Sequence, residues 1–129
     1  MSDAQNATEK AVFVALSAAG LNNPTYQHVP QDTPSPTNII GDMTGEPLGD
    51  KGGIDERIEL SIETEMQGEQ RKVVLEEQAR IIATLDNQAL TGATGWTINP
   101  ERLSADAVLL PDGVTYLGTT RFVIFALKN

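Results

Sequence analysis

Carboxylates are the one chemically capable side chain that this sequence holds in quantity. It has 18 Asp and Glu against 9 Lys and Arg, a single His and no Cys. Without Cys there is no thiolate nucleophile, no thiolate metal site and no disulfide. His28 alone builds neither a metal site nor a triad, and it reads as a surface strand residue. Ser17, Ser35, Ser61 and Ser104 lack the G-x-S-x-G context of an activated serine. The run Gly49-Asp50-Lys51-Gly52-Gly53 lacks phosphate-loop spacing, and its acidic surroundings would repel phosphate. Nor do the acids fit the spacing of a calcium loop; a weak, non-specific cation site among Asp42, Glu46, Asp50, Asp55 and Glu56 is the most they would form. The expectation is no catalytic residue, no metal site and no cofactor.

Two features remain as candidate surfaces. Glu59, Glu63 and Glu65 alternate with apolar residues, so a strand would place them on one face at steps of about 7 Å. General acid–base chemistry needs a carboxyl held in an apolar pocket, whereas Arg57 and Ser61 share this face and make it wet. It reads as a solvated strand face, or as a lining for a channel or a subunit seam. Trp96, after a glycine turn, reads as a core or edge anchor, or as an interface anchor for a partner.

The elements that must position these residues follow from periodicity. Ala4, Ala7, Ala11, Ala15 and Ala18, widened by Val12, Leu16 and Ala19, give a helix that starts near Ser2 and stops at Gly20. Thr25–Val29 and Thr37–Gly41 read as short strands separated by a proline-rich turn. Residues 42–56 hold four glycines, one proline and no apolar period, which predicts a long mobile loop. Asp42, Glu46, Leu48, Lys51 and Ile54 are its candidate partner contacts; Asp50, Asp55 and Glu56 join the acidic face with Glu59, Glu63 and Glu65. Arg57–Met66 alternates cleanly and predicts a half-buried strand with Ile58, Leu60, Ile62 and Met66 inward. A second helix is predicted from about Glu69 to Leu85, with Leu75, Ala79 and Ile82 at its centre and Val74, Ile81 and Leu85 flanking. Two strands close the chain, near 97–109 and 114–127, joined by the turn sequence Pro111-Asp112-Gly113. Pro100 marks an edge or a bulge, while apolar residues on both faces beyond Phe122 mark a central or covered strand.

The predicted order is α-β-β-loop-β-α-β-β. It implies an α+β fold with two helices on one face of a mainly antiparallel sheet of four to five strands, as one domain over residues 1–129. A length of 129 residues suits one modest core. The formal net charge of −9 argues against gripping nucleic-acid phosphates or anionic membrane. No apolar run approaches the roughly 20 residues of a membrane span. The first residues lack the pattern of a signal peptide, so a cytoplasmic site of synthesis is expected.

The ordered pieces resemble a family. They are the Ala-rich helix ending Ala15-Leu16-Ser17-Ala18-Ala19, the strand Tyr26-Gln27-His28-Val29-Pro30-Gln31, and Thr37-Asn38-Ile39-Ile40-Gly41-Asp42. Leu90-Thr91-Gly92 before Trp96 follows, then Pro111-Asp112-Gly113-Val114-Thr115-Tyr116-Leu117-Gly118-Thr119-Thr120-Arg121-Phe122. Over nearly the whole chain this looks like the tail-terminator, or tail-completion, proteins of long-tailed phages and phage-like gene transfer agents. One departure is Thr64-Glu65-Met66-Gln67-Gly68, where similar proteins often carry an aromatic-Ser pair before the glycine. The resemblance implies a structural protein and not an enzyme. It implies a homo-hexameric ring that caps the tail tube, ends tail polymerisation and meets the head connector or stopper, with DNA passing through unbound. The place implied is the tail–head junction of a virion or phage-like particle assembled in a host cytoplasm. A head-side adaptor or stopper ring is the neighbouring alternative, and a small α+β ligand-binding domain or enzyme the more distant one.

Overall fold

A computed structural model of the chain describes residues 3–28, 34–49 and 54–129. In chain order the elements are α1 (Asp3–Ser17), β1 (Thr25–Tyr26), β2 (Thr37–Pro47), β3 (Glu56–Gln67), α2 (Arg71–Leu85), β4 (Trp96–Leu109) and β5 (Thr115–Lys128). The strands form one sheet in the order β1-β2-β3-β5-β4. All pairings are antiparallel except β1 with β2. Both helices pack on one face, so the fold is the expected α+β arrangement.

The alternation in β3 does what period 2 requires. Ile58, Leu60, Ile62, Thr64 and Met66 are buried beneath the helices, and Glu59 is exposed on the other side. β5 is an interior strand, paired with β3 along one edge and β4 along the other. Its inward residues Phe122, Ile124 and Ala126 are fully buried. Phe122 and Ile124 each contribute about 1.5–3 kcal/mol by leaving water. β4 is the edge strand that Pro100 foretells, and a bulge lies between Arg102 and Ser104. The small residues of α1 allow close approach: a Cβ at Gly92 would sit 3.3 Å from the Ala11 Cα.

Two expectations are corrected. The predicted loop at 42–56 is largely a β-hairpin: β2 runs on to Pro47 and β3 begins at Glu56. The Leu48 N–H closes it by donating to the Asp55 carbonyl at 2.9 Å. Gly41, Gly45 and Pro47 hide this strand from a pattern search, because they supply no alternating side chain; backbone pairing to β3 holds it. Asp42 and Glu46 are therefore strand residues, while Asp50 and Lys51 lie outside the described residues.

The second correction concerns α2, whose buried face is Val74, Glu77, Gln78, Ile81 and Leu85. Leu75, placed at the centre of the stripe by sequence, is 48% exposed, and Ala79 is exposed as well. The reason is a buried polar network. Glu77, fully buried, accepts from Asn23 N at 2.8 Å, Asn38 Nδ2 at 2.9 Å and Asn22 N at 3.2 Å. Thr64 Oγ1 donates to Asn38 Oδ1 at 2.7 Å. A carboxylate is tolerated inside a core only when its lone pairs are filled in this way. Next to it Gln78 Nε2 donates to the Asp106 carbonyl at 2.8 Å and ties α2 to β4. Gly118 makes room for this contact, since a Cβ there would lie 2.7 Å from Gln78 Nε2.

Candidate functional site

The sheet face opposite the helices is the candidate site. Strand register builds it row by row. Arg57, Glu59, Ser61, Glu63 and Glu65 on β3 face Phe125, Val123, Arg121, Thr119 and Leu117 on β5. On the far side of β5, Glu101 stands opposite Val123, Ser104 opposite Arg121, and Asp106 opposite Thr119. On the near side, Thr44 and Glu46 of β2 stand opposite Glu59 and Arg57. The face thus carries Glu46, Glu59, Glu63, Glu65, Glu101 and Asp106 against Arg57 and Arg121.

Neutralisation on this face is slight. Arg57 Nη1 lies 3.5 Å from Glu46 Oε1 and 3.9 Å from Glu59 Oε2, with all three side chains partly exposed. Such pairs are worth about 0–1 kcal/mol each. The Arg121 side chain forms no ion pair or hydrogen bond among the described residues. It lies in a shallow cleft of about 250 Å³ with Asp42, Thr44, Glu59, Ser61 and Leu103. Both bulges of the sheet fall in this row: the β2 shift between Ile40 and Met43 lies opposite Ser61, and the β4 shift lies opposite Arg121. The β2 bulge turns the Asp42 N–H onto Ser61 Oγ at 3.0 Å. Paired bulges in one row bend the sheet there and increase its twist.

The structure divides the acids grouped by sequence. Glu59, Glu63 and Glu65 share the open face. Glu56 is two residues from Ile58 and so belongs to the helix-bearing side. Asp55 lies at the end of the sheet, where Oδ1 accepts the Lys128 N–H at 2.7 Å. Asp42 and Glu46 sit on β2, Leu48 is half-buried at the hairpin end, and Ile54 is 53% exposed. Trp96 is packed inward at 7% exposure, with Lys128 Nζ 5.2 Å from its ring centre. Its rim borders a cleft of about 390 Å³ that Asp3, Asn6, Lys10 and Ile54 also line. Sequence reasoning missed Glu101, Asp106 and Arg121 as members of the face. The register reveals them; Asp106 joins the face because the bulge at Leu103 reverses which β4 residues beyond it point outward.

This surface is open, wet and spread over the sheet. Among the described residues, no group of three or more His, Asp or Glu is placed to hold a metal ion. What the arrangement can do is present negative potential to whatever lies opposite it. A displaced pKa lies elsewhere, at the β4–β5 turn. The Thr115 hydroxyl, then the Val114 and Thr115 N–H groups, hold the Asp112 carboxyl below its ordinary value of 3.8.

No protein-family model and no curated protein sequence matches the chain. A solved structure does match in fold: a chain from a particle described as "Virion of native gene transfer agent (GTA) particle". The likeness covers 98% of both chains with a TM-score of 0.84, at 16% sequence identity.

Proposed function

We propose that this protein is a structural component of a phage-like particle, a tail terminator that assembles as a ring, a hexamer in this reading. The ring caps the finished tail tube, stops further polymerisation and meets the head connector, and DNA passes through its hole. The whole-chain likeness in fold to a component of a gene transfer agent virion carries the reading. The sequence resemblance to tail terminators points the same way. The open acidic face fits it physically. A conduit for DNA must not hold DNA, and a lumen bearing Glu59, Glu63, Glu65, Glu101 and Asp106 repels phosphate. Its field is short-ranged at physiological salt, where screening sets in within about 8–10 Å, so it acts on a duplex inside the hole and little beyond. In this role the protein works by position and charge, without catalysis.

Deleting the gene from its parent particle tests the proposal. The expected particles are detached heads together with tails of unregulated length. Tails of normal length joined to heads would refute it, and normal-length tails lacking heads would move the protein to a head-side adaptor role.

A further inference from the structure

Each outer edge of the sheet is covered over part of its length. On β2, Thr25 and Tyr26 pair with Asn38 and Ile39, and no described strand pairs beyond them. On β4, Leu90 exchanges hydrogen bonds with Ile98, Asn87 N donates to the Pro100 carbonyl, and Arg102 N donates to Asp86 Oδ1. Beyond Arg102 no described strand pairs with that edge. The two open stretches lie at opposite ends of the sheet. Asp106 shares a row with Thr119 and Glu63, whereas Thr44 shares one with Glu59 and Val123.

The open stretches are complementary. The bond from Leu48 N to Asp55 O turns Thr44 and Glu46 toward β3 and leaves Met43, Gly45 and Pro47 facing outward. The bond from Leu110 N to Thr115 O likewise leaves Ala105, Ala107 and Leu109 facing outward. The side chains of the five that carry one lie on the helix-bearing side, and β2 and β4 run in opposite directions. Pro47, with no N–H to give, ends its edge as edge prolines do. Leu103, Val108 and Leu109 are each nearly half exposed at the open end of β4. A bare, apolar edge of this kind is a template for another strand.

We propose that Leu103–Ala107 of one copy pairs antiparallel with Met43–Pro47 of the next, so that one sheet continues from subunit to subunit. The proposal rests on the ring reading above and assigns its seam. The register sets Ala105 opposite Gly45, Asp106 opposite Thr44, Ala107 opposite Met43 and Ser104 opposite Glu46. A slip of two residues would oppose Asp106 to Glu46, a like-charge pair. In the proposed register β1 of the next copy falls past Leu109, and Asp86–Leu90 falls past Pro47, so the covering elements stay clear of the seam. Each copy steps along the strands by about four residues, or about 13 Å, across four strands about 19 Å wide. The resulting tilt of about 35° is within the roughly 35–45° that closed barrels adopt. The contact joins two different patches, as a closed ring requires.

The chain has no Cys, so an engineered pair reports the seam without background. Asp106 and Thr44 would form a non-hydrogen-bonded pair with Cα atoms about 4.5 Å apart, within disulfide reach. The full chain carrying D106C and T44C is oxidised at concentrations where rings are imaged, then run without reductant. The expected result is a ladder of covalent oligomers up to the ring's copy number, absent from either single variant. A107P removes one outward N–H; it should abolish rings while the monomer's melting temperature moves by only a few degrees. Rings that form without a ladder, or that persist in A107P, overturn the seam and leave the ring reading standing. A chain that stays monomeric at every concentration and also on tube tips overturns the ring reading and the seam with it.

Discussion

Glu77 and Asn38, 39 residues apart in sequence, meet in the core, where Asn38 Nδ2 donates to Glu77 Oε2 at 2.9 Å. The pair joins α2 to β2. Through Asn22 and Asn23 it also fixes the chain as it passes from α1 toward β1. The edge of the sheet that β1 covers is thus held from within by a single carboxylate. Glu77→Ala would leave the Asn23 N–H and the Asn38 amide buried without their acceptor, and the part-buried Asn22 N–H without its own. It should cost about 3 kcal/mol or more, read as a fall in the midpoint of denaturant unfolding. Glu77→Gln keeps the shape and one acceptor and should cost less.

Charge on the open face should matter for DNA and little for folding. Glu59, Glu63 and Glu65 are at least partly solvated, so a triple change to Lys should move stability by roughly 0.5 kcal/mol per site or less. Assembled rings should then retain duplex DNA in a salt-dependent way that the parent rings do not, measured by fluorescence anisotropy. Particles carrying the variant should eject DNA more slowly. Unchanged DNA retention and ejection would remove the face from the lumen.

Acid should weaken the β4–β5 turn through Asp112. Its carboxyl is held below 3.8, first by the Thr115 hydroxyl and then by the Val114 and Thr115 N–H groups. A depressed folded value means that the carboxylate stabilises the fold fully above the unfolded value and stops doing so as pH falls through the folded one. Asp112→Asn should therefore lower the melting temperature at pH 7, and the gap from the parent should close once pH falls below the depressed folded value. A gap that persists in acid would point to a cause other than the charge.

Much of this architecture is legible in the sequence, and the losses have identifiable causes. The alternation from Arg57 to Met66 locates β3 and its acidic side, because a half-buried strand leaves a period of 2. Val123, buried on the open face, shows why β5 reads as apolar on both sides: it is an interior strand, where Val123 is flanked by Glu59 and Glu101. The second half of β2 is illegible because Gly41, Gly45 and Pro47 carry no pattern. The face of α2 is misread because Glu77 and Gln78 occupy positions that an apolar stripe would fill. Their partners, Asn23, Asn38 and the Asp106 carbonyl, are distant in sequence. The places of Ser104 and Asp106 depend on the bulge at Leu103, which swaps the faces of β4 and brings Asp106 beside the row of Glu63.

The proposed function turns on whether this protein ends tube growth. Purified tail-tube protein is polymerised with increasing amounts of the chain, and tube length and end labelling are followed by electron microscopy with a tagged copy. The expected result is growth arrest at a few copies per tube, with label at one end only. Tubes that elongate unchanged, or that carry label along their length, would contradict it.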